Sequence, residues 1–316
     1  MQVHRGIPEH ADTAAVLTIG NFDGVHLGHQ ALLTLLTGKA RELGLPAVVL
    51  TFEPHPREFF SPADAPARLA SLREKLLLLD SAGVDRTYIC RFNAARAAQS
   101  AESFIRDTLV RGLGVRHLFV GDDFCFGARR QGNFAMLREA GIAQGFGVES
   151  MPTLDVDGER VSSSAVRNAL LEAELGHAAR LLGRPYSIAG RVSHGDKIGR
   201  QLGFPTANIQ MKHRRPALTG VYAVSVEGLA ERRVAGVANV GVRPTATSRG
   251  RARLEVHLFD WTQNCYGAHI RVNFLHKLRD EHKFESLDAL RAQIALDAQT
   301  ARDWFVAHPK SLLESA

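Results

Sequence analysis

The pattern that most limits how this chain can fold is an alternation that runs for about half its length and then stops. Between residues 14 and 154, short apolar runs take turns with stretches of helical spacing. "AAVLTIG" is followed by "HQALLTLLTGKARELG", "AVVLTFEP" by "SLREKLLLLDSAG", and "VDRTYICRF" by "AESFIRDTLVRGLG"; "VRHLFVG" is then followed by "FAMLREAGIAQG", and "VESMPTL" closes the series. Repeated strand-then-helix units predict a parallel sheet with helices on both faces, and ligands at the carboxyl ends of its strands.

The rhythm changes near residue 184. After "LLGRPYSIAGRV" come the strand-like runs "GVYAVSV", "RRVAGVANVG", "RLEVHLFD" and "HIRVNFLHKL", punctuated by Gly, Pro and Asn. Short strands at close spacing predict a small antiparallel barrel or sandwich. "SLDALRAQIALDAQTARDWFVAH" then has the spacing of one terminal helix. Two domains follow, residues 1–183 and 184–316, as suits a chain of 316 residues.

Composition narrows the function classes. Cys90, Cys125 and Cys265 are far apart and form no CxxC pair, which argues against a disulfide framework or a structural zinc site and fits a reducing cytoplasm. No apolar run approaches the ~20 residues of a membrane span, and "MQVHRGIPEH" lacks the apolar core of a secretory signal. Charge is uneven: residues 1–183 hold 19 Lys+Arg and 21 Asp+Glu, residues 184–316 hold 20 and 12. The basic half could meet nucleotide phosphates or a nucleic acid. Its runs "KHRR" and "SRGRAR" lack the interleaved aromatics of a single-strand binder, which disfavours nucleic acid.

One corner concentrates unusual residues. "GNFDGVHLGH", residues 20–29, follows the first strand and opens the first helix. Gly20 and Gly24 let the backbone turn tightly and approach a ligand. A helix starting near His26 aims its free N–H groups at the same space. His26 and His29, three apart, lie on roughly one face, where they could donate to triphosphate oxygens, share a metal or simply be solvated. In "VSSSAVR", residues 161–167, Ser162 or Ser163 can cap a helix, with Arg167 in or near its first turn. That group could hold a phosphate or be a capped helix with a solvated Arg.

"GDKIGRQLGFPTANI", residues 195–209, is the second dense stretch. Lys197 and Arg200 are cationic. Thr206 and Asn208 point to one side of an extended strand and offer oxygens suited to Mg²⁺, or form a self-bonded turn. In "RLEVHLFD", Leu254, Val256 and Leu258 alternate onto one face while Glu255 and His257 take the other. Glu255 is therefore kept out of the apolar layer, facing a cleft or solvent.

These stretches together carry a resemblance. "GNFDGVHLGH" resembles the HxGH signature of the nucleotidyltransferase superfamily, in the form found in the bacterial bifunctional riboflavin kinase/FMN adenylyltransferase (FAD synthetase) family. "TFEPHPREFF", "GDDFCFG" and "VSSSAVR" resemble further segments of its first half, although Cys125 stands where a basic residue is common and Ser164 where Thr is frequent. "GRQLGFPTAN", "ANVGVRPT", "LEVHLFDW" and "LRDEHKF" resemble its kinase segments in order, over nearly the whole chain.

The resemblance implies a Rossmann-like α/β nucleotidyltransferase domain, then a six-stranded riboflavin kinase-like antiparallel β-barrel with a C-terminal helix. It implies FAD synthesis from riboflavin, FMN and ATP with Mg²⁺, in the cytoplasm, without a nucleic-acid or membrane partner. It implies His26 and His29 in adenylyl transfer and Glu255 as the kinase base. ATP or phosphate contacts fall to Gly20, Phe22, Asp23, Gly24, Asp123, Ser163, Ser164 and Arg167, and to Gly195, Lys197 and Arg200. Flavin contacts fall to His55, Pro56, Phe126, Arg279 and Glu281, and metal contacts to Thr206 and Asn208.

Overall fold

The structure, a computed structural model, describes residues 1–195, 199, 202–211, 215–242 and 252–313. They fall into two compact units: Met1–Pro66 with Leu72–Ser162, and Ala67–Ser71 with Ser163–Ala316. Lys197 and Arg200 lie outside the described residues, as does most of the two basic runs.

The first unit is built on β1 (Gln2–Arg5), β2 (Ala15–Ile19), β3 (Ala47–Glu53), β4 (Arg86–Arg91), β5 (Val115–Gly121) and β6 (Gly147–Met151). They form one parallel sheet in the order β1-β4-β3-β2-β5-β6. Its helices are α1 (Leu27–Leu43), α2 (Pro56–Phe60), α3 (Leu72–Ser81), α4 (Ala94–Ala97), α5 (Ala101–Ser103) and α6 (Phe134–Gln144). α5 runs on as a π-helix over Phe104–Gly112. A small hairpin, β7 (Asp155–Val156) with β8 (Glu159–Arg160), completes the unit.

All five residues of β2 are buried, because both faces of the sheet are covered. Val16, Val49 and Phe119 pack on one side with Leu33, Leu36 and Leu79 of α1 and α3. Leu17, Leu50 and Leu118 pack on the other with Leu109 of the π-helix and Leu137 of α6. β1 escapes a pattern-based reading: it is a short, mostly exposed run, "QVHR", held at the sheet edge by pairing with β4.

The chain leaves β2 for β3 on one side and later returns to β5 on the other. This reversal makes the gap beyond the carboxyl ends of β2 and β5 the topological switch point, where open α/β sheets place ligands. "GNFDGVHLGH" follows β2 and "GDDFCFG" overlaps the end of β5.

The second unit contains α7 (Ser163–Leu171), α8 (Leu175–Leu182) and the strands β9 (Ser187–Ser193), β10 (Ala207–Ile209), β11 (Gly220–Glu227), β12 (Val234–Val242), β13 (Ala252–Leu258) and β14 (His269–Arg279), then α9 (Leu287–Ala307). The strands close into a barrel, β10-β13-β12-β11-β14-β9, all pairs antiparallel. Closure depends on β10, three residues that pair with β13 on one side and β9 on the other. β11 is buried on both faces, since α9 covers its outside: Val221 and Ala223 pack against Ala298, Ala301 and Phe305.

Candidate active sites

The glycine corner after β2 is tied to the neighbouring strand. Gly20 N–H donates to the Leu50 carbonyl at 3.1 Å, and Thr51 Oγ1 donates to the Asn21 carbonyl at 3.4 Å. Phe22, Gly24 and Val25 all have positive φ, at 48°, 80° and 41°. Gly24 adopts this at no steric cost, but Phe22 and β-branched Val25 do not, and such strain persists only where surrounding structure enforces it. Here the enforcement is burial: Phe22 is fully enclosed and Val25 is 2% exposed. Gly20 is needed for a different reason than turning. A Cβ there would meet the Phe22 ring at 3.0 Å.

His26 is the N-cap of α1, with its Nδ1 accepting from the His29 N–H at 3.4 Å. That leaves Nε2 as its donor atom when the ring is neutral. The two imidazoles stack, centroids 3.7 Å apart, and His29 also lies 5.0 Å from the Phe22 ring. A Cβ on Gly28 would meet the His26 ring at 3.2 Å, so the HxGH spacing serves the stack. Burial first, then the nearby charges of His26 and Lys75, hold the His29 imidazole well below its usual pKa. His29 is thus neutral at physiological pH and offers one donor. Its Nδ1 and the Oδ1 of Asn21 are buried without a hydrogen-bond partner among the described residues. His29 Nδ1, protonated in one neutral tautomer, is a donor suited to an incoming anion, whereas Asn21 Oδ1 is an acceptor suited to a ligand N–H or O–H.

The other residues of the first half divide. Asp23 is buried in the corner, 3% exposed. His55 caps α2, its Nδ1 accepting from Arg57 N–H at 3.1 Å, while Glu58 accepts from His55 N–H; Pro56 is the first helical residue. Phe126 sits in the hydrophobic core, its ring against Phe104 and Phe124. Asp123 is exposed and pairs with Arg160 at 2.8 Å. Ser163 and Ser164 begin α7, which places Arg167 just past its first turn. Arg167 Nε donates to the Ala67 carbonyl at 2.7 Å. These three belong to the second compact unit, and the His pair to the first. Sequence reasoning passed over an aromatic group at the ends of β3 and β4: Phe52, Phe59, Phe60 and Phe92 meet edge to face at 5.3–5.9 Å, with Phe60 64% exposed. The doubled Phe of "TFEPHPREFF" was the available signal.

In the barrel, a cleft of about 300 Å³ holds Thr206, Glu255, His257, Asn239, Arg279 and Glu281 in its wall. Strand register explains the grouping. Asn208 of β10 lies opposite Glu255 of β13, and Glu255 opposite Asn239 of β12. Leu254, Val256 and Leu258 are buried while Arg253, Glu255 and His257 are only partly covered, so the polar set faces away from the apolar layer. Arg253 Nη1 lies 3.7 Å from Glu255 Oε1, and His257 Nδ1 donates to the Pro205 carbonyl at 2.9 Å. Gly195 lets the chain lie against Asn208, whose amide a Cβ would strike.

Arg279 does not project freely into this cleft. Its Nε and Nη2 grip both oxygens of buried Asp297 on α9, at 2.9 and 2.7 Å. Glu281 Oε1 accepts from Asn239 Nδ2 at 3.2 Å, and Asn239 Oδ1 is buried without a partner among the described residues. Asn239 stood inside the quoted "ANVGVRPT" but no spacing within one strand could pair it with Glu255. Thr206 and Asn208 supply hydroxyl and amide oxygens, and no cluster of three His, Cys, Asp or Glu able to hold a metal occurs among the described residues. Neutral oxygen donors with room for substrate phosphates fit Mg²⁺ better than a softer metal.

A parallel α/β unit with a glycine- and histidine-rich corner at its switch point, and a closed barrel with a polar-walled cleft, fit a two-part transferase acting on nucleotides. The FAD synthetase family model matches residues 8–165 and the riboflavin kinase model residues 182–305. A bifunctional riboflavin kinase/FMN adenylyltransferase of Pseudomonas fluorescens is 53% identical over 96% of this chain and 97% of its own length. One of Escherichia coli K12 is 49% identical over 96% and 98%. The chain belongs to the bifunctional riboflavin kinase/FMN adenylyltransferase family. A solved structure called a macrolide-efflux protein, from Streptococcus pneumoniae, is 29% identical, with TM-score 0.79 over 96% of this chain and all of the other. No helix among the described residues is long and apolar enough to cross a membrane.

Proposed function

We propose that the barrel unit phosphorylates riboflavin to FMN and the parallel-sheet unit joins FMN to the adenylyl group of ATP, with the functional boundary near residues 183/184. The observation that carries this is the cross-strand row Asn208–Glu255–Asn239, in which Glu255 and Asn239 share a cleft wall with Thr206. In the kinase step the 5′-hydroxyl oxygen of riboflavin attacks the γ-phosphorus, the bond to the β-phosphate oxygen breaks, and ADP leaves. Glu255 accepts the hydroxyl proton. Thr206 and Asn208 would hold Mg²⁺, which neutralises phosphate charge when bound. Arg279, fixed by Asp297, shapes the cleft wall, and Glu281 orients the Asn239 amide towards a flavin polar group.

In the adenylyl step a phosphate oxygen of FMN attacks the α-phosphorus and pyrophosphate leaves. The attacking oxygen is already ionised, so no strong base is required. The chain's part is placement and charge stabilisation by the backbone N–H groups of the corner, His26 Nε2 and neutral His29. Arg167 and the Ser163–Ser164 hydroxyls, at the start of α7 in the second unit, offer further phosphate contacts. The exposed Phe59–Phe60 group suits stacking of the flavin ring better than Phe126, which is already packed. We place the reactions in the cytoplasm, where ATP is at hand and the three free cysteines stay reduced. Incubation with riboflavin, ATP and Mg²⁺ tests the whole assignment: FMN should rise first and FAD follow. FMN that never becomes FAD would remove the second half of it.

A further inference from the structure

α3 carries a lysine where its apolar face calls for a leucine. Lys75 and Leu79, one turn apart, point to the same side; Leu79 is fully buried and Lys75 is 1% exposed. An ammonium is costly to bury, and lysine is almost never fully enclosed without a reason. Lys75 Nζ donates to Thr51 Oγ1 at 3.4 Å, and Thr51 Oγ1 donates in turn to the Asn21 carbonyl at 3.4 Å. Thr51 itself is fully buried on β3. A two-bond path therefore runs from the α3 ammonium to the strained corner that holds Phe22, Gly24 and His26. The same charge is felt at His29.

We propose that Lys75 is a positioning residue for adenylyl transfer: through Thr51 it fixes the Asn21–His29 corner, and it supplies standing positive charge behind the phosphates received there. This rests on the assignment of that corner to ATP. Negative charge grows on the departing pyrophosphate, so a fixed cation behind the corner matters more in the transition state than in the bound ground state. The hydroxyl of Thr51 converts a point charge on a flexible stem into a restraint on one backbone carbonyl.

The test uses the full chain, with FMN and ATP as substrates for one assay and riboflavin and ATP for the other. Lys75→Met keeps the volume and removes the charge. Its kcat for FAD formation should fall by roughly 10–100-fold, with KM for ATP rising less than about threefold. Its riboflavin phosphorylation should be unchanged. Thr51→Val keeps the charge and removes the bridge, and should lower the same kcat by a smaller factor. A folded Lys75→Met with native kcat would overturn the proposal. So would native kcat in Thr51→Val if Lys75→Met fails to fold. His29→Ala is the control: if it makes FAD normally, the corner is not the ATP site, whatever Lys75 does. If it is inactive while Lys75→Met is normal, only the role of Lys75 falls.

Discussion

His29 shows how burial turns a titrating side chain into a fixed one. Its depressed pKa means that the unfolded chain binds a proton that the folded chain refuses. The linked stability is therefore complete above the ordinary imidazole value of 6.5 and is lost as pH falls below it. His117, whose pKa is lowered chiefly by burial, adds to this in the same direction. Melts of the full chain between about pH 8 and pH 5 should show stability falling below about pH 6.5, and His29→Asn should flatten part of that fall. Identical pH slopes in the two proteins would mean that His29 is not desolvated. Glu255 tests the other site. Glu255→Gln cannot accept a proton, so riboflavin phosphorylation should drop ~10²–10⁴-fold while FAD formation from supplied FMN survives. Near-native kinase turnover would pass the role to His257, which shares that strand face.

At the scale of elements, two contacts decide whether the sites exist. α1 begins where it does because His26 caps it, and Gly28 leaves room for the capping ring. α9 matters for a different reason: it covers the outer face of β11 and carries the Asp297 that holds Arg279. Phe305 is 8% exposed in that contact. Phe305→Ala should cost about 3–5 kcal/mol, the usual loss for a buried aromatic. Because α9 also anchors Arg279, riboflavin affinity should weaken with it, read by flavin fluorescence titration. A large stability loss with unchanged affinity would separate the helix from the cleft.

For the whole molecule, the division into units makes a prediction about fragments. α8 buries Leu175, Ala178, Leu181 and Leu182, and it falls within the barrel unit. A fragment starting at residue 184 strips that apolar cover, and a fragment starting at 163 keeps it. Both should make FMN and no FAD. The longer should melt higher by several degrees, since each ~1 kcal/mol of stability is worth roughly 2–4 °C at this size. Equal melting temperatures would show that α8 contributes nothing to the barrel. FAD made by either fragment would contradict the allotment of the two reactions.

The sequence by itself determined the alternating half, the strand-rich half and the terminal helix. Those are set by local periodicity: a strand buried on both faces must be apolar throughout, as β2 is, and a half-covered one must alternate, as β13 does. It also marked both dense corners, because glycine, proline and paired histidines are written locally. Only the tertiary structure decided what those residues touch. Strand order put the glycine corner at the switch point between β2 and β5. Register set Asn239 beside Glu255, from positions 16 residues apart in the chain. Folding turned Arg279 towards Asp297, enclosed Phe126 and carried Lys75 to Thr51 behind the glycine corner. Each of these depends on contacts between distant segments, and a side chain's periodicity says which face it takes without saying what lies across from it.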